Sequence, residues 1–116
     1  MAFKYYPNTQ EKAVFSPDGP QPQVLFLQGE VKVLVGGLEA GQKIPAHPEG
    51  LAVYHFLSGR GWMLVDGERL TVTAGTTVIT LEGAARGMEA ETGLTFLAAR
   101  ITELAHDAAK AGAKME

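Results

Sequence analysis

Gly41-Gln42-Lys43-Ile44-Pro45-Ala46-His47-Pro48-Glu49, closing at Leu57-Ser58-Gly59-Arg60-Gly61, is the stretch on which the fold turns. A glycine opens it, a histidine and a carboxylate follow two residues apart, and glycines end it after one strand's length. Residues two apart on a strand share a face, so His47 and Glu49 are expected side by side. A second stretch, Gly75-Thr76-Thr77-Val78-Ile79-Thr80-Leu81-Glu82-Gly83-Ala84-Ala85-Arg86, has the same punctuation. Glycines placed this way serve strands that bend sharply to close on themselves.

Outward from these stretches, short strand patterns recur. Ser16-Pro17-Asp18-Gly19-Pro20-Gln21-Pro22 reads as a rigid loop, because its prolines fix φ and lack an N–H. Val24-Leu25-Phe26-Leu27-Gln28 and Val31-Lys32-Val33-Leu34-Val35 read as strands, with Lys32 expected to face out and Phe26 expected in the core with Phe56. Leu51 to Leu57 and Trp62 to Val65 follow, with one of Trp62 and Met63 in the core and the other outside. Asp66-Gly67 is a hairpin turn signal, since both positions tolerate positive φ. Arg69-Leu70-Thr71-Val72-Thr73 alternates, and Thr76 to Leu81 and Leu94 to Ile101 complete the set. Short strands between glycine turns argue for an all-β sandwich or barrel. Only Glu103 to Lys114 breaks the pattern: it is alanine-rich and predicts a short terminal helix or tail, carrying His106.

The 116 residues predict one domain: an N-terminal arm over 1–22, a barrel core over 23–102 and a helical tail over 103–116. The 46% apolar content is sufficient for a core, and the net charge of −3 gives no general attraction to nucleic acid or anionic membrane. With no cysteine, neither a disulfide framework nor thiolate chemistry is available. Any metal would have to be held by histidine and carboxylates. No secretory leader pattern opens the chain, and its longest apolar runs are too short to span a bilayer, so a cytoplasmic location is expected.

Taken together, the two stretches resemble the paired motifs of small single-domain cupins of the RmlC-like, cupin-2 type. The family's first motif is G-x5-H-x-H-x3/4-E-x6-G, and its second is G-x5-P-x-G-x2-H-x3-N. Gly41 and His47 fit the first, but its second histidine is replaced by Glu49. Its glutamate falls on Ala52 if Gly59 closes the motif, the preferred alignment, or on Tyr54 if Gly61 does. Gly75 and Gly83 fit the second motif, while its proline, histidine and asparagine become Leu81, Arg86 and Ala90. The resemblance implies a double-stranded β-helix (jelly-roll) barrel, and it implies that the turn residues are kept while the metal ligands are degenerate. It also implies a homodimer, in which Tyr5, Tyr6, Val14 and Phe15 give the N-terminal segment apolar groups to bury.

The candidate site is therefore His47, Glu49, Tyr54 and Arg86. His47 is read as a ligand contact, an acid/base or a metal ligand, with a backbone-bonded mouth histidine as the plain alternative. Glu49 shares its face or is a solvated loop carboxylate. Tyr54 is a hydrogen-bond donor to a bound molecule or a packed core residue. Arg86, where the family has its last ligand, would repel a divalent cation and attract an anion, or else pair with Glu49 or Glu89. His55 has the opposite parity to Ala52, Tyr54 and Phe56 and is read as structural. No cofactor is expected; if a metal were bound, His47 and Glu49 would hold it, short of the three protein ligands usual at a catalytic site. The reading is a barrel that binds a small polar or anionic molecule, with no nucleic-acid or membrane partner. Two alternatives remain: a metal-free isomerase or epimerase of a sugar or organic acid with His47 as base and Tyr54 as acid, and a metal-dependent enzyme with an atypical His/Glu site.

Overall fold

A computed structural model describes residues 2–101. After a short 3-10 turn at Thr9–Lys12, the strands are β1 Gln23–Gln28, β2 Val31–Leu38, β3 Lys43–Pro48, β4 Leu51–Ser58, β5 Arg60–Val65, β6 Glu68–Thr73, β7 Thr77–Thr80, β8 Ala85–Ala90 and β9 Leu94–Ile101. They form a five-stranded sheet in the order β1-β2-β9-β4-β7 and a four-stranded sheet in the order β3-β8-β5-β6. Every pairing is antiparallel. The helix expected over Glu103 to Lys114, and His106 within it, lie outside the described residues.

The core lies between the sheets because each strand turns alternate residues inward. On β4, Ala52, Tyr54 and Phe56 are buried, whereas Leu51 and Val53 are exposed and His55 is half-buried. Leu34, Leu38, Leu94, Phe96 and Ala98 join them from the same sheet, and Met63, Val72, Met88 and Ala90 come from the other. Met63 is the core member of its pair, and Trp62 lies outside beneath the Arg69 guanidinium, 3.9 Å from the ring centroid. Phe26 departs from expectation. A register shift between Val24 and Phe26 leaves it half-buried, lining a groove with Phe3 and Tyr5.

The turns follow the glycines. Asp66 and Gly67 both take positive φ, at 48° and 87°, in the two-residue link between β5 and β6. Gly59 is the residue between β4 and β5, with φ 85°, and a Cβ there would fall on the Gly93 carbonyl oxygen. The N-terminal arm folds back on its own chain, where the Tyr6 hydroxyl donates to Leu25 O at 2.6 Å and Gln42 Nε2 donates to Ser16 O at 2.7 Å.

Candidate functional site

One end of the space between the sheets is a cavity of about 150 Å³, open to solvent. Its wall is largely apolar, from Leu34, Ile44, Met63, Met88 and Phe96, and its polar side chains are His47, Tyr54, Arg86 and Arg100. Phe56 and Met88 are packed in the core and Leu81 is 69% exposed, so none of them plugs the opening.

A bulge in β3 turns His47 inward. Ile44 pairs with Met88 and His47 pairs with Arg86, so two residues of β3, Pro45 and Ala46, oppose one of β8, Gly87. Without the extra residue, Ile44 and His47 would point to opposite faces; with it, both line the cavity. Pro45 lies within the bulge and has no N–H to leave unpaired. Opposite the bulge stands Gly87, which is buried and whose φ is not in the left-handed region. Its lack of a side chain provides space instead: a Cβ there would meet Ile44 O, and would lie 2.7 Å from Ala46 N.

His47 is half-exposed at the rim, with Nδ1 3.1 Å from Pro45 O and Nε2 2.8 Å from Glu49 Oε2. Both neighbours are oxygen acceptors, and together they fix the plane of the ring. The other Glu49 oxygen, Oε1, lies 3.0 Å from Arg100 Nη1. Glu49 thus links His47 to Arg100 across the mouth, joining the two sheets. Sequence reasoning paired His47 and Glu49 by face and missed Arg100.

Arg86 is 2% exposed and pointed at the loops. Its Nη1 donates to Gly50 O at 2.6 Å, Nε donates to Ala84 O at 3.0 Å, and Nη2 lies 2.9–3.1 Å from Ala84 O, Leu81 O and Glu49 O. This guanidinium fastens the β3–β4 loop to the β7–β8 loop. Gly83 assists, since at φ 84° its amide donates to Glu49 O at 2.8 Å. Arg86 therefore lines the cavity without offering an anion a free edge, and its partners are carbonyl oxygens, not the Glu49 or Glu89 carboxylates.

Arg100 is the reverse case. It pairs with Ala52 on β4 and with Lys32 on β2, and shares the inward face of Phe96 and Ala98. Its side chain is only 19% exposed, yet its Nε is buried with no hydrogen-bond partner among the described residues. Lys32, expected to face out, stands on the same inner face as Leu34 by this register. Tyr54 is 7% exposed, packs on Phe96 with ring centroids 6.2 Å apart, and its hydroxyl makes no hydrogen bond among the described residues. His55 lies on the outer face, its Nδ1 2.8 Å from Thr77 Oγ1.

The residues present do not fit the transition metal that the cupin motifs imply. Among the described residues no three His, Asp or Glu side chains lie together as a ligand set. The two candidate donors, His47 and Glu49, are bonded to each other, Ala52 has no donor atom, and Arg86 and Arg100 bring positive charge.

No protein-family model matches the chain, and no curated protein matches it. Solved structures do. An RmlC-like cupin protein from Desulfovibrio desulfuricans is similar at TM-score 0.75 and 21% identity, over 84% of this chain and 94% of that one. A conserved protein with a double-stranded β-helix domain from Klebsiella pneumoniae is similar at TM-score 0.76 and 21% identity, over 84% and 90%. A conserved protein of unknown function from Streptococcus pyogenes is similar at TM-score 0.76 and 20% identity, over 88% and 90%. With the two-sheet topology, these likenesses give the chain the fold of a small RmlC-like cupin domain. At such identities they speak for the fold and not for the chemistry.

Proposed function

We propose that the barrel binds a small polar or anionic molecule without a metal ion. The observation that carries this reading is the shared cavity: an open, mostly apolar space whose wall includes the unpaired Tyr54 hydroxyl and the rim imidazole of His47. A small apolar pocket with a few orienting polar groups is the usual form of a ligand site. Glu49 belongs to it as the carboxylate that holds His47, and Arg86 as the fastening that fixes the mouth loops.

NMR titration with sugars, organic acids and nucleotides tests the reading. A saturable shift at cavity residues is expected, weakened about tenfold by Tyr54→Phe or His47→Ala, the equivalent of one lost hydrogen bond. Binding that maps away from the cavity, or that ignores both substitutions, would overturn it. For the metal, stoichiometric iron, zinc, nickel or manganese in protein purified without a metal-affinity tag, lost on His47→Ala, would overturn the metal-free part.

A second reading, acid/base isomerisation or epimerisation of a sugar or organic acid, is favoured by the Glu49 carboxylate on His47, which orients an imidazole for proton transfer. For His47 to act as a base it must first leave one of its two acceptors. Turnover followed by NMR separates this from simple binding.

We further propose that the chain forms a homodimer. The outer face of the five-stranded sheet carries Val31, Leu51, Val53 and Ile79, all exposed, and the arm exposes Phe3 and Tyr5. Light scattering at micromolar concentration showing a monomer would remove this assignment.

A further inference from the structure

We infer that the ligand is a small monocarboxylate whose charge is anchored by Arg100, with Lys32 beside it, and whose apolar body, no larger than a benzene ring, fills the cavity. The inference rests on the reading of the barrel as a binding site and assigns that site its charged anchor and its ligand class.

The first observation is the state of Arg100. A largely buried guanidinium has five N–H donors to satisfy. Here one nitrogen meets a carboxylate oxygen, and Nε is buried without a partner among the described residues. Nε is enclosed and out of a ligand's reach, so the donor left for one is Nη2, which makes no hydrogen bond among the described residues. Arg86, with the same chemistry in the same cavity, has all its nitrogens on carbonyl oxygens and so needs nothing further.

The second observation is the placement of charge. Lys32 is directly opposite Arg100 in the β2–β9 register and on the same face. Like charges directly opposite are destabilising, so the pair calls for an anion between or above them. Among the described residues Lys32 makes no ion pair. The carboxylate at Arg100 is Glu49, which it shares with His47. Asp66, on the turn beside β8, is held by the amide of Ala85 at 2.8 Å. Among the described residues, the opposed Arg100 and Lys32 thus meet a single paired carboxylate, Glu49.

The third observation sets size and valence. A cavity of about 150 Å³ takes a benzene-sized group. Its floor of Leu34, Met63, Met88 and Phe96 suits a ring or a branched alkyl group better than a sugar's ring of hydroxyls. Glu49 at the rim favours a single negative charge over a doubly charged phosphate, which it would repel. A carboxylate matches the planar fork of arginine.

The experiment compares benzoate, benzyl alcohol and phenyl phosphate by NMR titration of the full chain and of Arg100→Met and Lys32→Met. Benzoate is expected to shift cavity residues, to bind at least tenfold more weakly to Arg100→Met, and to lose a smaller factor in Lys32→Met. Benzyl alcohol is expected to bind weakly and equally to all three proteins. If benzoate and benzyl alcohol bind alike and neither responds to Arg100→Met, the cavity reading survives and the carboxylate assignment is overturned. If phenyl phosphate binds more tightly than benzoate, the monocarboxylate class is overturned. If none of the three shifts a cavity residue, this inference and the binding reading for ligands of this shape both fall. Should Arg100→Met fail to fold, Arg100→Lys, which keeps the charge and loses the fork, is expected to weaken benzoate and spare benzyl alcohol, and an unchanged benzoate affinity would overturn the assignment.

Discussion

On the four-stranded sheet, Arg86 is buried and every nitrogen of its guanidinium meets a backbone carbonyl of one of two loops. On the five-stranded sheet, Arg100 is partly buried, its side chain 19% exposed, and has an ion pair and an orphaned Nε. Both line one cavity. The difference shows two ways in which a barrel can hold a cation. Carbonyl dipoles can neutralise it completely, and it then serves as structure. Or it can be left partly satisfied, which costs stability but keeps donors available to something that arrives later. The same contrast separates the loops, which are fixed, from the β2–β9 side of the mouth, where Arg100 stands opposite Lys32.

The comparison breaks most sharply at Arg86. Replacing it with Met leaves Gly50 O, Leu81 O and Ala84 O without the donor they share. Leaving a buried acceptor unsatisfied costs about 1–3 kcal/mol, so Arg86→Met, which orphans several, should lose about 3 kcal/mol or more in urea unfolding. A loss below about 1 kcal/mol would mean that the loops close without it. Next comes Gly87→Ala, which places a Cβ against Ile44 O and Ala46 N and forces β3 away from β8. Overpacking of this kind costs about 1–3 kcal/mol, and His47 should lose its inward position, read as a changed ring environment in its NMR signals. Glu49→Gln comes third. It removes the carboxylate between His47 and Arg100 and leaves the main-chain carbonyl that Arg86 and Gly83 use. Half-exposed ion pairs contribute about 0–1 kcal/mol, so a loss within that range by urea unfolding is expected.

The sequence shows the scaffold more plainly than the site, for reasons that particular residues make clear. Gly59, Gly75, Gly83 and the Asp66-Gly67 pair mark turns, because positive φ restricts which residues can stand there. The shared face of His47 and Glu49 follows from a two-residue spacing alone. Arg100 is different. In Leu94-Thr95-Phe96-Leu97-Ala98-Ala99-Arg100-Ile101 both faces are apolar, so alternation does not say which way the arginine points. Lys32 misleads for the same reason: a lone lysine in an apolar strand reads as outward, and register with β9 puts it on the inner face where that face reaches the mouth. The bulge that turns His47 inward is equally hidden, since Pro45 signals an interruption without saying how many residues will oppose Gly87. The direction of Arg86 depends on four carbonyls from two separate loops, and no local pattern encodes such a meeting.

The smallest effect, and the sharpest test of the contrast, is Arg100→Met. Arg100 and Arg86 are the same residue type in the same cavity, and their difference in burial alone predicts only a somewhat smaller loss at Arg100. The hydrogen-bonding difference predicts otherwise. Removing one partner of an ion pair is costly when it strands a buried charge, but Glu49 is 25% exposed and keeps its contact with His47, while the desolvation penalty of Arg100 disappears with its charge. Arg100→Met should therefore change unfolding free energy by no more than about 0.5 kcal/mol in either direction, or stabilise, with Glu49 still held by His47. Relief of the Arg100–Lys32 opposition works in the same direction. A loss comparable to that of Arg86→Met would show that Arg100 is as firmly satisfied as its counterpart, and the distinction between a structural and an available arginine would collapse.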